Sequence, residues 1–288
     1  MDFPNYFADA EEDGEHARFV IAGVPFEKTS SFRHGADQGP DAIRQASWNF
    51  EQYDLRTQVN MKDIPVHDYG NLDVHDSSSR DVFEATKKYA TRMLEKKKIL
   101  ITMGGDHSIT PGLVSAFPKD TAVLSLDAHM DYRQKYKNDV YNHACVIKRI
   151  ADHLDVHNIA VFGIRSAEKE EYDLAQQHGL FFLDAFTIKK MGMQKALQQT
   201  REHLKQKNIY LTIDIDVVDP AFAPGTSTPE PFGLHPFDIL DIIDLFSPQL
   251  ISLDLVEVCP PYDHGQTAVL AAKLIRSAMG AIWKHQKE

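Results

Sequence analysis

The chain has 288 residues, and 42 Asp and Glu residues outnumber 31 Lys and Arg residues, which gives a formal net charge of −11. Hydrophobic residues make up 43% and charged residues 25%, as in ordinary globular proteins, so the composition argues against intrinsic disorder. The negative charge argues against nucleic acid and anionic membranes as partners, and it is compatible with a cationic substrate.

Apolar segments alternate with helix-like segments along the whole chain. The predicted strands are Phe19–Val24, Ile64–Asp68, Ile99–Thr102, Ala122–Leu126, Ile159–Phe162, Leu180–Leu183, Ile209–Ile215 and Leu250–Leu255. The predicted helices are Pro40–Trp48, Asp81–Lys97, Ala167–His178, Met191–Lys205, Pro236–Leu245 and Gln266–His285. Most of the strands are continuously apolar, as in strands that are covered on both faces, so the alternation predicts an α/β fold with a mainly parallel sheet. No linker or repeat interrupts it, and we assign residues 1–288 to a single domain.

The sequence also carries signals about compartment. The two cysteines, Cys145 and Cys259, cannot form a disulfide framework, which favours a reducing environment. The first 15 residues lack the pattern of a secretory signal, and no apolar run approaches the roughly 20 residues of a membrane helix. We therefore expect a cytoplasmic protein.

Acidic and histidine residues stand where several predicted strands stop, the edge at which parallel sheets place their sites. One strand is followed by Asp106 and His107, another by Asp127-Ala128-His129-Met130-Asp131, and two more by Asp214-Ile215-Asp216 and by Glu257. In extended chain a spacing of two puts alternate side chains on one face, so each of these groups should converge. Converging carboxylates repel each other unless cations neutralise them, and mixed imidazole and carboxylate ligands suit Mn, Fe, Zn or Co. Their number fits two bridged metals about 3.5–4 Å apart.

Other interpretations compete with this one. A single Asp at a strand end usually caps a turn, and Asp106 is a candidate for that role. A Cys145–His143 pair could suggest a cysteine nucleophile, but nothing in the sequence orients it, and small buried cysteines are common. No Gly-x-Ser-x-Gly motif supports a serine hydrolase, and Gly104-Gly105 lacks the lysine and spacing of a P-loop.

Together these segments resemble the ureohydrolase family of arginase and agmatinase, in family order from about residue 18 to the C-terminus. The matching segments are Ser31-x-Arg33-x-Gly35, Gly39-Pro40-x-Ala42-Ile43-Arg44, Gly104-Gly105-Asp106-His107-Ser108, Ser125–Asp131, Ile213–Ala221, Ala223–Thr226, Pro229-Glu230, Gly233-Leu234 and Asp254–Val258. The resemblance implies a three-layer α/β/α sandwich of about eight strands (arginase-like) and a homo-oligomer, either a trimer or a hexamer.

The resemblance also implies a binuclear manganese site with two Mn²⁺ ions per chain. One ion would be held by His107, Asp127, Asp131 and Asp214, and the other by Asp127, His129, Asp214 and Asp216. Carried over in the same way, Glu257 would hold the guanidinium of the substrate, and His143, in Asn142-His143-Ala144, would bind substrate and transfer protons. The corresponding hypothesis is that a metal-bridging hydroxide attacks the guanidinium carbon and that Asp131 carries a proton to the leaving nitrogen.

The segment 132–145 bears on the choice of substrate. Its first part does not match the Asn-, Thr- and Ser-rich loop of arginases, and formimidoylglutamases generally lack a histidine equivalent to His143. The stretch Asn142-His143-Ala144-Cys145 looks most like agmatinases, so we expect hydrolysis of agmatine to putrescine and urea, a step in polyamine biosynthesis. Arg133 and Lys135 depart from this pattern. If either side chain points into the pocket, a substrate with an anionic tail, such as guanidinobutyrate or guanidinopropionate, becomes credible. The further alternatives are aminopropylagmatine, arginine or formimidoylglutamate as the substrate, and a non-catalytic metal-binding role.

Overall fold

The computed structural model describes residues 4–205 and 207–287 and has a parallel sheet at its centre. The strands in chain order are β1 (Phe19–Val24), β2 (Tyr53–Asp54), β3 (Val59–Asn60), β4 (Val66–Asn71), β5 (Ile99–Gly104), β6 (Ala122–Leu126), β7 (Ile159–Ile164), β8 (Phe181–Asp184), β9 (Ile209–Asp214) and β10 (Leu250–Val256). Eight of them form one sheet in the order β4-β1-β5-β10-β9-β6-β7-β8, and every neighbouring pair is parallel. Strands β2 and β3 form a separate short antiparallel pair.

The helices pack on both faces of this sheet. They are α1 (Gly39–Ser47), α2 (Ser79–Glu95), α3 (Thr110–Val114), α4 (Val146–His153), α5 (Lys169–Gln177), α6 (Ala185–Met191), α7 (Met193–Leu204), α8 (Pro236–Phe246) and α9 (Gln266–Lys287). Alternate residues of β5 belong to two separate cores: Ile101 packs with residues of α1 and α6–α9, and Leu100 packs with residues of α2–α5. The fold is therefore the three-layer α/β/α sandwich that the resemblance implied.

Six of the eight predicted strands begin or end one to three residues away from their predicted bounds, and two of these differences have a clear local cause. The strand predicted at Ile64–Asp68 begins at Val66, because Pro65 has no N–H for the ladder and the preceding residues Met61–Asp63 form a 3₁₀ turn. The strand predicted to end at Ile215 ends at Asp214, where the next three residues turn into a 3₁₀ helix. That turn brings Asp216 back toward the end of the strand.

Chain connectivity creates a crevice at the centre of the sheet. Strands β5 and β6 follow each other in the chain but are separated in the sheet by β10 and β9. Connections on either side of such a point run in opposite directions and leave an open crevice at the carboxyl ends of the strands. Within the described residues, no helix is both long enough and apolar enough to cross a bilayer.

Candidate metal centre and active site

The six predicted metal ligands meet at the carboxyl ends of β5, β9 and β6, of which β9 and β6 are neighbours and β5 is separated from β9 by β10. His107 lies in the 3₁₀ turn after β5, Asp127, His129 and Asp131 follow β6, and Asp214 and Asp216 lie at the end of β9. Five of the six residues are buried, and His129 is about a quarter exposed at its side chain. The structure thus places distant parts of the sequence in one cluster.

The first half of the cluster surrounds the imidazole of His107. Its Nδ1 lies 3.1 Å from Oδ2 of Asp127, 3.4 Å from Oδ2 of Asp131 and 3.4 Å from Oδ2 of Asp214. His107, Asp127 and Asp131 each offer a ligand atom within 4.8 Å of the others, so a single ion could contact all three.

The second half of the cluster shares Asp127 with the first. His129 Nδ1 lies 2.9 Å from Oδ2 of Asp216 and 3.7 Å from Oδ1 of Asp127. These three residues again offer ligand atoms within 4.8 Å of one another. Because one carboxylate belongs to both groups, the arrangement has the form of two adjoining cation sites.

Backbone hydrogen bonds fix the Oδ1 atoms of three carboxylates of the cluster. Oδ1 of Asp127 accepts from His129 N at 2.6 Å, Oδ1 of Asp216 from Ala128 N at 3.0 Å, and Oδ1 of Asp214 from Asp216 N at 2.9 Å. Among the described residues, Oδ2 of Asp127, Oδ2 of Asp216 and Nδ1 of His107 are buried without any hydrogen bond. Buried polar atoms in that state are rare and costly, so this donor set fits divalent cations.

A hydrogen-bonded chain behind His107 decides which of its nitrogens faces the cluster. Its Nε2 lies 2.9 Å from the hydroxyl of Thr212, which donates at 2.6 Å to Oδ1 of Asp254. The other oxygen of Asp254 accepts from the hydroxyl of Tyr210 at 2.6 Å. With its own proton committed to Asp254, the threonine oxygen must accept from Nε2–H, which leaves the lone pair of Nδ1 for a metal.

Without cations the cluster holds its carboxylates at high cost. Burial, with a contribution from the charge of Asp127, raises the pKa of Asp131 to about 7. Burial and the charges of Asp216 and Asp127 hold the pKa of Asp214 well above its usual range. The pKa of His107 is also raised, because its three neighbouring aspartates outweigh the opposing effect of burial.

The raised pKa of Asp131 predicts how pH acts on the metal-free protein. A carboxyl group whose folded pKa exceeds its unfolded value near 4 contributes stability that is present below about pH 4 and lost as the pH rises through about 7. Thermal unfolding should therefore show that added Mn²⁺ raises Tm more at pH 7.5 than at pH 5. In the metal-free Asp131→Asn variant, the Tm should fall less between pH 5 and pH 7.5 than it does in the metal-free wild type. Equal Mn²⁺ effects at both pH values in the wild type would contradict this expectation.

Two residues of the site have unusual backbone conformations. Asp131 and Glu257 are non-glycine residues with φ of 49° and 65°, in the left-handed region that ordinary residues avoid. Such conformations cost of order 1–3 kcal/mol each and concentrate at functional sites. The backbone at Gly105 lies close to the carbonyl group of Phe26. Only glycine fits there, because a Cβ at this position would lie 2.1 Å from the carbonyl oxygen of Phe26.

Glu257 follows β10 and lies beside the metal cluster. Its Oε1 accepts from the backbone N of His107 at 2.8 Å. Its Oε2 is buried, and no group of the described chain donates a hydrogen bond of ordinary geometry to it. Burial raises the pKa of Glu257 to about 8, and the charge of Asp106 adds to the effect. A carboxylate in this state is suited to a buried cation that donates N–H groups.

His143 lies in the segment between β6 and α4, and its ring lines the cavity that adjoins the metal cluster. The side chain of Asn142 caps its 3₁₀ turn by accepting from Ala144 N at 3.1 Å. The ring is partly buried, and its Nδ1 lies 3.0 Å from the hydroxyl of Thr29. Burial lowers the pKa of His143 to about 4, with the positive charge of a protonated His129 acting in the same direction. The ring is thus not a freely solvated loop histidine.

The cavity has a volume of about 240 Å³. Its lining includes the buried residues His107, Asp131 and Glu257, which form its inner end, and a charged rim that we define as Arg133, Tyr136, Glu168 and Glu171. Of the rim residues, Glu168 is exposed, Arg133 and Tyr136 are half-buried, and Glu171 is buried. Arg133 stacks on the ring of Tyr136 at 4.7 Å, and its guanidinium lies 3.5 Å from Glu171 and 3.8 Å from Glu168. Lys135 is exposed and does not line the cavity.

The competing interpretations of two residues can be examined in the same structure. Asp106 does cap the turn after β5, since its side chain accepts from Ser108 N. Cys145 is buried, and burial raises the pKa of its thiol to about 12. A thiol that stays protonated is a poor nucleophile, so the Cys–His interpretation has no structural support.

Sequence reasoning overlooked several residues that support the site, namely Thr29, Arg165, Glu171, Thr212 and Asp254. Thr212 and Asp254 are buried polar residues inside apolar strands, a signal that could have identified them. Glu171 accepts from Tyr132 N at 2.6 Å, and Arg165 donates to the carbonyl groups of Asp216 and Glu230. These contacts join distant loops and leave no trace in local sequence.

Comparison with known proteins places this geometry in context. A model described as the arginase family matches residues 17–280. The agmatinase of Bacillus cereus is 31% identical over 280 residues, which cover 95% of this chain and 94% of that protein. The N(1)-aminopropylagmatine ureohydrolase of Thermococcus kodakarensis is 35% identical over 281 residues, covering 94% and 92%. The crystal structure of agmatine ureohydrolase of Thermoplasma volcanium superposes with a TM-score of 0.94 at 35% identity, covering 100% of this chain and 97% of that one.

Proposed function

Because this chain belongs to the arginase family, we propose that it is a ureohydrolase that converts agmatine to putrescine and urea. The observation that carries the proposal is the meeting, in one cavity, of a complete set of metal-ligating side chains with a buried carboxylate, Glu257. Relatives over nearly the whole chain bear the names agmatinase and aminopropylagmatine ureohydrolase, which supports a guanidino substrate with a basic tail.

We propose two Mn²⁺ ions as the cofactor. His107, Asp127, Asp131 and Asp214 would hold one, and Asp127, His129, Asp214 and Asp216 the other. When bound there, two such cations would lower the pKa of a coordinated water toward neutrality and so would supply a nucleophile at physiological pH. The unpartnered Oδ2 atoms and the Nδ1 of His107 support this assignment.

Glu257 would bind and orient the guanidinium. Its Oε1 is fixed by His107 N, so Oε2 is the oxygen left to accept from the substrate. A bound guanidinium would keep this carboxylate ionised at neutral pH, although burial and the charge of Asp106 raise its pKa to about 8 in the protein without substrate. Holding a planar cation at one fixed place beside the metal ligands supplies much of the rate enhancement through orientation.

Two residues would move protons. Asp131 lies at the inner end of the cavity and would pass a proton to the leaving nitrogen. His143 would exchange protons between solvent and the site, because its ring lines the cavity and is neutral at pH 7. Urea and the amine would then leave through the rim.

The charges at the rim support a cationic tail. Among the charged rim residues that line the cavity, the two carboxyl groups of Glu168 and Glu171 outnumber the guanidinium of Arg133, which lies against both of them. An ammonium group is therefore favoured there over a carboxylate. The same acidity suits the longer basic tail of aminopropylagmatine, which is the second candidate because of the Thermococcus kodakarensis relative. A cytoplasmic homo-oligomer, trimeric or hexameric, stays a prediction from the resemblance.

A urea assay over guanidines with graded tail charge tests the proposal. The manganese-loaded protein should release urea from agmatine fastest, from a neutral alkylguanidine more slowly, and from guanidinobutyrate slowest. If agmatine gave no urea while another guanidine did, the substrate would be wrong. If the whole panel, including arginine and aminopropylagmatine, gave none, the reaction class would be wrong. Ammonia as product would indicate a formimidoyl substrate.

A matched pair of variants tests the role of the rim. Arg133→Gln removes a charge from the cavity wall and should raise the kcat/KM ratio of agmatine to guanidinobutyrate by about tenfold, which corresponds to about 1.4 kcal/mol. Lys135→Gln removes a charge from the exposed side of the same loop and should leave the ratio unchanged. Equal shifts in both variants would show that long-range charge, rather than the cavity wall, sets the preference.

A further inference from the structure

A second hydrogen-bonded chain, outside the metal ligands, ends at His143. The Nδ1 of His143 lies 3.0 Å from the hydroxyl oxygen of Thr29, and that hydroxyl lies 2.9 Å from Oδ2 of Asp106. Thr29 lies in the loop after β1, and Asp106 in the loop after β5, so two neighbouring strand ends hold the histidine of a third loop. Both Thr29 and Asp106 are buried.

The direction of the protons in this chain follows from the contacts of Asp106. Its Oδ2 accepts from the backbone N of Thr29 at 3.1 Å, and its Oδ1 accepts from the backbone N of Ser108 at 3.0 Å. The hydroxyl of Ser108 also donates to Oδ1. Backbone N–H groups can only donate, so both carboxylate oxygens act as acceptors. Four donors on one carboxyl group stabilise its charged form, so we assign Asp106 as the ionised acceptor of the hydroxyl proton of Thr29.

A threonine hydroxyl has one proton, and here it is committed to Asp106. The oxygen of Thr29 must then accept its other hydrogen bonds. It accepts from the backbone N of His143 at 3.0 Å, and the remaining contact, to Nδ1 of the same residue, requires a proton on Nδ1. In a neutral ring this leaves Nε2 with a lone pair.

The site thus uses a histidine–threonine–aspartate chain twice, with opposite ring nitrogens. In the chain of His107, Thr212 and Asp254, the Nε2 is bound and Nδ1 is left for a metal. For His143 the Nδ1 is bound, and Nε2 of the same ring, which lines the cavity, has no hydrogen bond to any described residue. The same kind of hydrogen-bonded chain would therefore leave Nδ1 of His107 as a metal ligand and Nε2 of His143 as a proton acceptor.

We propose that Thr29 and Asp106 are positioning residues that hold His143 as the Nδ1–H tautomer, so that Nε2 faces the substrate cavity as a proton acceptor. The inference rests on the proposed function for its consequence in turnover. During proton transfer Nε2 takes up one proton and later releases the same proton, while Nδ1, Thr29 and Asp106 keep theirs unchanged. The threonine prevents direct contact between the ring and a carboxylate, which would favour the charged imidazolium.

The tautomer can be measured without any turnover. In protein labelled with ¹⁵N at histidine and loaded with diamagnetic Zn²⁺, the His143 ring is identified by the signals missing from His143→Gln. We expect a protonated Nδ1 and an unprotonated Nε2 in the wild type at pH 7.5. A proton on Nε2 instead would overturn the proposal, and this measurement needs no variant of Thr29 to fold.

Two substitutions then test the consequence. Thr29→Val removes the hydroxyl at nearly constant volume, and it should mix the two tautomers and lower kcat at least tenfold, with KM and manganese content unchanged. Thr29→Ser keeps the hydroxyl and should restore both tautomer and kcat to within about twofold of wild type. Wild-type tautomer and kcat in Thr29→Val would overturn the proposal.

Thr29→Ala serves as the second variant if the valine is not accommodated, with the same expectations. A wild-type protein that released no urea from any guanidine would defeat the proposed function alone, because the tautomer measurement would still decide the positioning role of Thr29.

Discussion

Replacing Asp127 with alanine should abolish both the binding of two metals and the release of urea. The carboxylate of Asp127 belongs to both halves of the cluster, and its Oδ1 also fixes the turn that presents His129. Without it, one candidate site would keep only His107 and Asp131 of its group, and the other would keep only His129 and Asp216. We expect fewer than about one Mn²⁺ per chain by elemental analysis, and a fall in kcat/KM of at least about 10³-fold, which corresponds to about 4 kcal/mol.

The control for this variant is Asp120→Ala, which removes an exposed carboxylate from the loop before β6. It should keep full metal content and activity. Asp127→Asn adds a second comparison, because it keeps the shape of the side chain but removes its charge, and it should also lose metal. Two ions per chain in Asp127→Ala would show that Asp127 is not a shared ligand.

Replacing His143 with alanine should slow turnover by about 10²–10⁴-fold, the usual contribution of a positioned acid or base. Metal content should stay near that of the wild type, because the ring lies among Thr29 and Tyr136 and in neither of the two ligand groups. The loss should fall mainly on kcat, since we propose that Glu257 holds the guanidinium and that His143 moves protons. Steady-state kinetics together with manganese analysis measure both quantities.

A suitable control is His75→Ala, because the side chain of His75 is 92% exposed and lies far along the chain from the site residues. Its kinetics should match those of the wild type. Wild-type kcat in His143→Ala would exclude proton transfer through this ring. Loss of metal in the same variant would instead make His143 a residue that supports the cluster.

Much of the fold was predictable because parallel strands buried on both faces are continuously apolar. All eight strands of the main sheet were found, and the bounds predicted for β1 and β6 agree with the structure. The helices α3, α4 and α6 and the pair β2–β3 were missed. Helix α3 is only five residues long, and α6, seven residues long, is separated by Gly192, with φ of 87°, from α7, which was predicted as Met191–Lys205. Short elements carry too little periodicity to be recognised.

The convergence of the six candidate ligand residues was predictable from their spacing after apolar strands, since β-strand geometry places residues two apart on one face. Of the supporting residues, Thr212 and Asp254 had a signal as polar residues inside apolar strands, but the others had none. Thr29 reaches His143 across 114 positions, and nothing near it in the sequence indicates the contact. The direction in which the Arg133 side chain points could not be predicted either, because it depends on an ion pair with Glu171 in α5. Such partners are brought together by tertiary packing.

The most direct test of the account is anomalous diffraction at the manganese edge from crystals of the protein grown with Mn²⁺. Two peaks about 3.5–4 Å apart, each within bonding distance of its own histidine and both contacting Asp127, are the predicted result. A single peak, or peaks elsewhere on the molecule with none among the six side chains, would contradict it.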